Sequence, residues 1–273
     1  MNKAEAAVDA YLKRASELRI VPNFWLTREY CLSIQDNISL ETNGKVIWLQ
    51  EGDWALFPPL PVKGQIYEGI ENDCPSLKIW SDFENYSPGE KEKAEFLDWE
   101  YTYDSSDFLD LSGSRWRVFR KNVRKWPRAN KDNLWDYTPL SPKREEIERL
   151  LIKWLEHREE KTIHDDKSLE WFIFNGSRRE FLYLRRKDAS RDLLVGINVW
   201  DEYKSFPYRV IYRYCIVDPE ERFLDEFCRL LFYRSLPGRY VIDGGTLGNP
   251  GLERFKDRLN PVSKRPVYSR RIG

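Results

Sequence analysis

Histidine is almost missing from this chain of 273 residues: it has two, His157 and His164, with four cysteines at 31, 74, 215 and 228 that form no Cys-x-x-Cys pair. A structural metal site needs four such ligands at short, regular spacing, so no metal is expected and the cysteines read as reduced, mostly buried thiols. Apolar runs are short too, none approaching the roughly 18 residues of a membrane span. The first nineteen residues read as an amphipathic helix mixing both signs of charge, so no membrane partner and a cytoplasmic location are expected. Net charge is zero, 45 basic against 45 acidic residues, which removes the whole-domain basic field that nucleic-acid binders show. Only local charge can argue for a polyanion.

What is present is ordinary globular composition, 41% hydrophobic and 33% charged, enriched in aromatics with 11 Trp and 15 Tyr. The length suits one large or two small domains. The polar stretch "RANKDNLWDYTPLSP" carries the expected boundary, dividing the chain into 1–138 and 139–273.

Val8, Tyr11, Leu12, Ala15 and Leu18 recur at helical spacing and predict a helix over 3–19. Asn43-Gly44 between alternating segments predicts a hairpin, and "SPGEKEKAEFLDW" a short helix entered through Pro88 and Gly89. Residues 112–126 are expected to form a helix capped by Ser112 or Ser114 and ended by Pro127. At 100° per residue, Arg117, Arg120, Lys121 and Arg124 share one ridge, with Trp116, Phe119, Val123 and Trp126 on the adjoining face. In the second half a helix from about 142 to 160 precedes two strands around Asn175-Gly176, strands in "DLLVGINVWDEY" and "YRVIYRYCIVD", and a helix through Phe223 to Leu231. Strand "RYVIDGG", helix "NPGLERFKDRL" and strand "RPVYSRRI" close the chain, an α+β pattern with a mixed sheet.

That order resembles the GNAT acyltransferase fold. "LSGSRWRVFRKNVRKW", a leucine and small residues before a basic-aromatic helix, resembles a segment of the phosphatidylglycerol lysyltransferase C-terminal domain and its FemABX-like relatives. "DGGTLGNPGLERFKDRLNP" is similar to the closing motif of that family, about 130 residues later and in the same order. The resemblance implies two tandem GNAT-like halves, and transfer of an acyl or aminoacyl group, commonly from aminoacyl-tRNA, to an amine or a lipid hydroxyl. The membrane-embedded half of the lipid-modifying enzymes is not in this sequence, so an amine acceptor is expected.

Within this frame Asp243 is the expected proton acceptor or amine anchor, with Thr246 and the backbone of Gly244, Gly245 and Gly248 near a developing oxyanion. The plainer reading of "DGGTLGNPG" is a strand-to-helix turn that needs positive φ. Arg117, Arg120, Lys121 and Arg124 are the candidate grip on a donor's phosphates, extended by Lys264, Arg265, Arg270 and Arg271. Equally, they could neutralise the acidic span Glu68 to Asp110, which has thirteen carboxylates. Trp200 and Tyr203 are cleft candidates or core; Lys256 is a cleft candidate or a solvated helix lysine; Cys215 and Cys228 are expected in the core. "IVDPEERF" stands where a CoA-dependent enzyme offers a cradle of amide N–H groups, and its proline and acids argue against CoA there. The donor candidates are thus aminoacyl-tRNA and acyl-CoA, and an acyl-CoA-dependent N-acyltransferase is one alternative. The other is a non-catalytic binding module for a polyanion or protein.

Overall fold

The computed structural model describes residues 2–21, 23–33, 38–67, 69–74, 77–81, 94–140, 142–157, 165–203, 206–246 and 248–270. Helix α1 (Lys3–Glu17) starts at Asn2, whose side chain caps the first turn while Glu5 reaches back to the Asn2 N–H. It buries Val8, Tyr11 and Ala15, and the Tyr11 hydroxyl donates to the Pro58 carbonyl. After α2 (Arg28–Ser33), β1 (Ile38–Thr42) and β2 (Val46–Glu51) form the expected hairpin, with Gly44 at φ +88°. Short β3 (Trp54–Ala55) and β4 (Leu60–Pro61) border on β2, and β5 (Leu77–Ser81) runs parallel to β3.

Strand β6 (Ala94–Asp104) occupies the latter part of the segment read as a helix through "AEFLDW"; the earlier part lies outside the described residues. It is a strand because β11 (Tyr240–Asp243) and β12 (Ser263–Arg270) satisfy its two edges, a tertiary pairing that overrides local propensity. The basic stretch also differs from expectation. It forms two short helices, α3 (Arg117–Val123) and α4 (Lys125–Ala129), broken at Arg124. Gly113 at φ +81° turns the chain before α3, so neither serine caps it, and Arg120 holds that turn by donating to the carbonyls of Leu111 and Gly113. Pro127 sits in the first turn of α4, where no N–H is required of it.

Strand β7 (Leu134–Thr138), α5 (Arg144–Glu156) and α6 (Asp165–Trp171) follow. Residues 165–176, the latter part of which was expected to be a strand, are α6 and a π-turn through Phe172–Gly176; Leu169, Phe172 and Ile173 recur at helical spacing and are buried. Strands β8 (Arg178–Arg185), β9 (Leu193–Glu202) and β10 (Arg209–Val217) lead to α7 (Leu224–Ser235), β11, α8 (Pro250–Arg258) and β12.

One mixed sheet results, in the order β1-β2-β3-β5-β12-β6-β11-β10-β9-β8-β7, with β4 beside β2. Its centre is an exchange. β12, last in the chain, lies between β5 and β6, and β6 lies between β12 and β11. On one face α5, α6 and their neighbours cover Phe181, Ile197, Val199 and Ile216; on the other, α3 and α7 enclose an aromatic core of Tyr101, Tyr103, Phe108, Trp116, Tyr212 and Tyr233. Arg213 is clamped under the first face by Asp201 at 2.7 Å and the Phe24 carbonyl at 2.7 Å, tying residues 23–27 to β10.

Candidate functional site

Two places in the sheet have neighbouring parallel strands. Where β3 meets β5 the pairing is a single step, Ala55 with Leu77, and the chain leaving β3 buries Leu56 and Phe57 in the core under α1. Where β10 meets β11 the outcome is different. Their pairing ends at Tyr212 and Asp243, but β10 runs on to Val217 while the other chain turns away. Beyond that point β10 is paired only with β9, so about half of its backbone groups face a gap. The gap opens into a cavity of about 520 Å3 lined by Trp154, His157, Cys215, Asp225, Arg229 and Phe255, among others. A β-bulge between Tyr212 and Tyr214 turns Cys215 toward this side.

Asp243 stands at the apex, 5% exposed. Its Oδ1 accepts from Lys256 Nζ at 2.9 Å and its Oδ2 from Arg229 at 3.1 Å. Lys256 is buried, not solvated, and its remaining N–H groups go to the carbonyls of Gly244 and Gly245, so α8 is pinned to the loop after β11. Burial lowers the Lys256 pKa, partly offset by the Asp243 charge. With a cation on each oxygen, Asp243 anchors two side chains.

The glycines are explained by close approach. A Cβ on Gly245 would lie 1.7 Å from Asp98, and one on Gly244 2.5 Å from the Phe24 ring. Asp98 accepts from the Thr246 N–H at 2.8 Å and its hydroxyl at 3.0 Å. The Thr246 donors expected at an oxyanion are therefore spent inside the protein. Gly248, at φ +73°, supplies the turn into α8, which Asn249 caps.

Arg229 was not foreseen. Its guanidinium lies 5.0 Å from the Tyr212 ring and 5.5 Å from that of Phe255, fixed between β10 and α8. Cys215, expected in the core, is half-buried and lines the cavity. A hydrogen bond from Cys228, with Arg229 nearby, pulls its pKa down despite burial. His157 ends α5, and its Nδ1 lies 2.9 Å from the Lys153 carbonyl, which can only accept, so the contact calls for a proton on Nδ1 and leaves Nε2 outside it. Asp225 and Arg229 stand four apart on one face of α7, a spacing that could have flagged them.

Trp200 and Tyr203 do not reach this cleft. Trp200 is in the aromatic core near Phe232, and Tyr203 donates to the Asn23 carbonyl and lines a separate cavity beside α1. In the ridge, Trp116, Phe119, Val123 and Trp126 are buried as expected, while Arg117, Lys121 and Arg124 are exposed and make no ion pair among the described residues. Arg120 is consumed by its carbonyls. Among the described residues of the acidic span none pairs with Arg117, Lys121 or Arg124: Asp98 and Glu100 serve Thr246 and Arg265, and Asp107 pairs with Arg115. Of the tail, Lys264 pairs with Glu253 and Asp257 and Arg265 with Glu100; the Arg270 side chain, Arg271 and His164 lie outside the described residues. Asn122 and Trp126 reach Glu226 and Glu221, so α3 and α4 flank the loop before α7.

That loop is less repulsive than its sequence. Asp218 and Glu220 bind Lys153, and Glu221 binds Arg186 and the Trp126 indole. Four of its amides are nonetheless occupied: the N–H groups of Asp218, Glu220, Glu221 and Leu224 all bond within the protein, and Pro219 has none, which leaves fewer donors for a pyrophosphate there. Among the described residues no group of three His, Cys, Asp or Glu is placed to hold a metal, and no helix is long and apolar enough to cross a membrane.

No family model and no curated protein matches the chain. Its likeness is to solved structures. A conserved protein of unknown function from Bacteroides thetaiotaomicron superposes over 98% of this chain and 97% of its own, with TM-score 0.68 at 13% identity. L-PGS from Bacillus licheniformis superposes over 96% and 91%, with TM-score 0.56 at 12% identity. A tandem GNAT protein from the clavulanic acid biosynthesis pathway covers 97% and 94%, with TM-score 0.49 at 11% identity. At such identities the likeness concerns the fold alone, which here is an α+β arrangement around one mixed sheet.

Proposed function

We propose that the chain is an acyltransferase that moves an acyl or aminoacyl group onto an amine in the cleft where β10 and β11 part. The observation that carries this reading is that gap, where β10 runs on past the end of β11 and opens onto a cavity lined by charged and nucleophilic side chains. The N–H groups on the free edge suit a carbonyl oxygen that gains negative charge as the amine attacks. The amine's proton goes to His157 Nε2, and Arg229 stabilises charge on the departing group.

For the donor, the exposed Arg117, Lys121 and Arg124 beside the loop before α7 favour a polyanionic carrier such as aminoacyl-tRNA. The occupied loop amides weigh against acyl-CoA. A purely binding role would leave the cleft without a task, so it ranks second.

The test is transfer of radiolabelled aminoacyl groups from charged tRNA, and of acetyl from acetyl-CoA, to a panel of primary amines. His157→Gln should lower the rate by about 10²-fold or more, the usual contribution of a general base. Absence of transfer from either donor, together with tRNA binding that ignores salt, would sink the proposal.

A further inference from the structure

Between α3, α7 and α8 lies a second cavity, of about 230 Å3, that the transfer chemistry leaves unused. Phe255 belongs to both cavities and separates them. The floor is apolar, with Phe255 and Leu259 among its lining residues. Glu226 supplies a carboxyl group: one oxygen accepts from Asn122 at 3.1 Å, and the group is half-buried with no cation bound to it among the described residues. Arg258 and Arg115 line the same cavity and are exposed. Arg258 makes no ion pair among the described residues, and Arg115, which lies over the Trp116 ring, has among them one ion-pair partner, the solvent-exposed Asp107, which costs little to leave.

Two carboxylates, of which Asp257 is taken by Lys264 and Glu226 is not, and two guanidinium groups beside apolar side chains define a ligand bearing an ammonium group, an anionic group and a hydrocarbon part. The last turn of α8 adds a partial negative charge that favours the ammonium. Size narrows the choice, because at roughly 30 Å3 per water-sized group the space takes about eight heavy atoms. We infer that this cavity binds an apolar α-amino acid, its ammonium on Glu226, its carboxylate on Arg258 and Arg115, and its side chain against Phe255 and Leu259. This binding does not depend on the transfer reading.

Around Glu226 the charged groups are Asp225 on its own helix, Arg115 ahead of α3, and Asp257 and Arg258 on α8; Asp257 is committed to Lys264. Burial and the neighbouring Asp225 push the Glu226 pKa up to about 7. An ammonium ligand needs the ionised form, so affinity should rise between about pH 6 and about pH 8.

Isothermal titration of the full chain with L-leucine tests the assignment, beside isopentylamine, which lacks the carboxylate, and 4-methylpentanoate, which lacks the ammonium. Leucine should bind, with each analogue at least about tenfold weaker, the loss expected for one charge-assisted contact. Glu226→Gln and Arg258→Gln should each weaken leucine by about tenfold or more, and Glu226→Gln should remove the pH dependence. Arg222→Gln, an exposed site outside the cavity, should change nothing. No leucine binding at millimolar concentration, or binding that both cavity variants retain, overturns the inference. Transfer activity without leucine binding would overturn this site alone, and leucine binding without transfer would overturn only the reading of the cleft.

Discussion

Asp243 with Arg229 and Lys256 puts two cations on one buried carboxylate, and the three are worth unequal amounts to the fold. Asp243→Asn would leave Arg229 and Lys256 as uncompensated charges out of water, at a cost of about 3–5 kcal/mol. Lys256→Met keeps the Arg229 pair and strands two loop carbonyls, so it should cost less, about 2–3 kcal/mol. Urea unfolding of both variants checks the order; a reversed ranking would show that Lys256 has a larger part than anchoring α8. A lost activity in Asp243→Asn is consequently no proof of a catalytic carboxylate. Glu226 gives a second test at this scale. Its folded pKa is raised from 4.5 to about 7, so the native state holds the proton more tightly, and stability from this group is present below about pH 4.5 and lost as pH rises through about 7. Glu226→Gln should therefore raise the melting temperature at pH 8 and leave it unchanged at pH 4. After discounting for partial exposure the gain is about 1 kcal/mol. Equal shifts at both pH values would mean that packing, not ionisation, is responsible.

Among the elements, α3 separates scaffold from surface within seven residues. Arg117, Lys121 and Arg124 touch no acid among the described residues, so changing all three to Gln should move the urea midpoint by less than about 0.5 kcal/mol equivalent. The same variant should flatten the salt dependence of tRNA binding by about two units of log–log slope, near 0.7 per lost phosphate contact. Trp116→Ala, on the buried face, should cost about 3–5 kcal/mol. An unstable triple variant would make the ridge part of the fold. This helix also shows what sequence can and cannot reveal. Its buried aromatics follow from periodicity, which is a local property. Its break at Arg124 and its late start depend on Gly113 and on where the Arg120 side chain goes. Likewise the strands β9 and β10 carry their own alternating or continuous apolar patterns, but β6 is a strand because partners from beyond residue 239 flank it. The site divides along the same line. Asp243, Thr246 and the glycines announce a special turn, yet Asp98, Arg229 and His157 come from three other parts of the chain, and only the assembled sheet brings them near.

At the level of the whole molecule, a division at residue 138 is a proposal that the central exchange puts to a severe test. Strand β12 closes the edge between β5 and β6, and β6 closes the edge between β12 and β11, so each half completes the sheet of the other. Helices α3 and α4 lie before residue 138 and pack on α7 after it, through Phe119, Trp126 and Phe227. A fragment of residues 139–273 alone would lack β6 beside β11, leaving a row of unpaired N–H and C=O groups and exposing the core that holds Tyr212, Phe232 and Tyr233. A fragment of residues 1–138 would lack the strand between β5 and β6, which contributes the buried Val267. Neither fragment should show a cooperative thermal transition or native near-ultraviolet dichroism by itself. Mixed from denaturant at equal concentration, the two should restore both, with a melting temperature that rises with protein concentration as binding linkage requires. A fragment of residues 139–273 that melts cooperatively alone would mean that the exchange is dispensable. The cleft between β10 and β11 could then stand without the first half, and the ridge on α3 would be the only reason for that half to be near it.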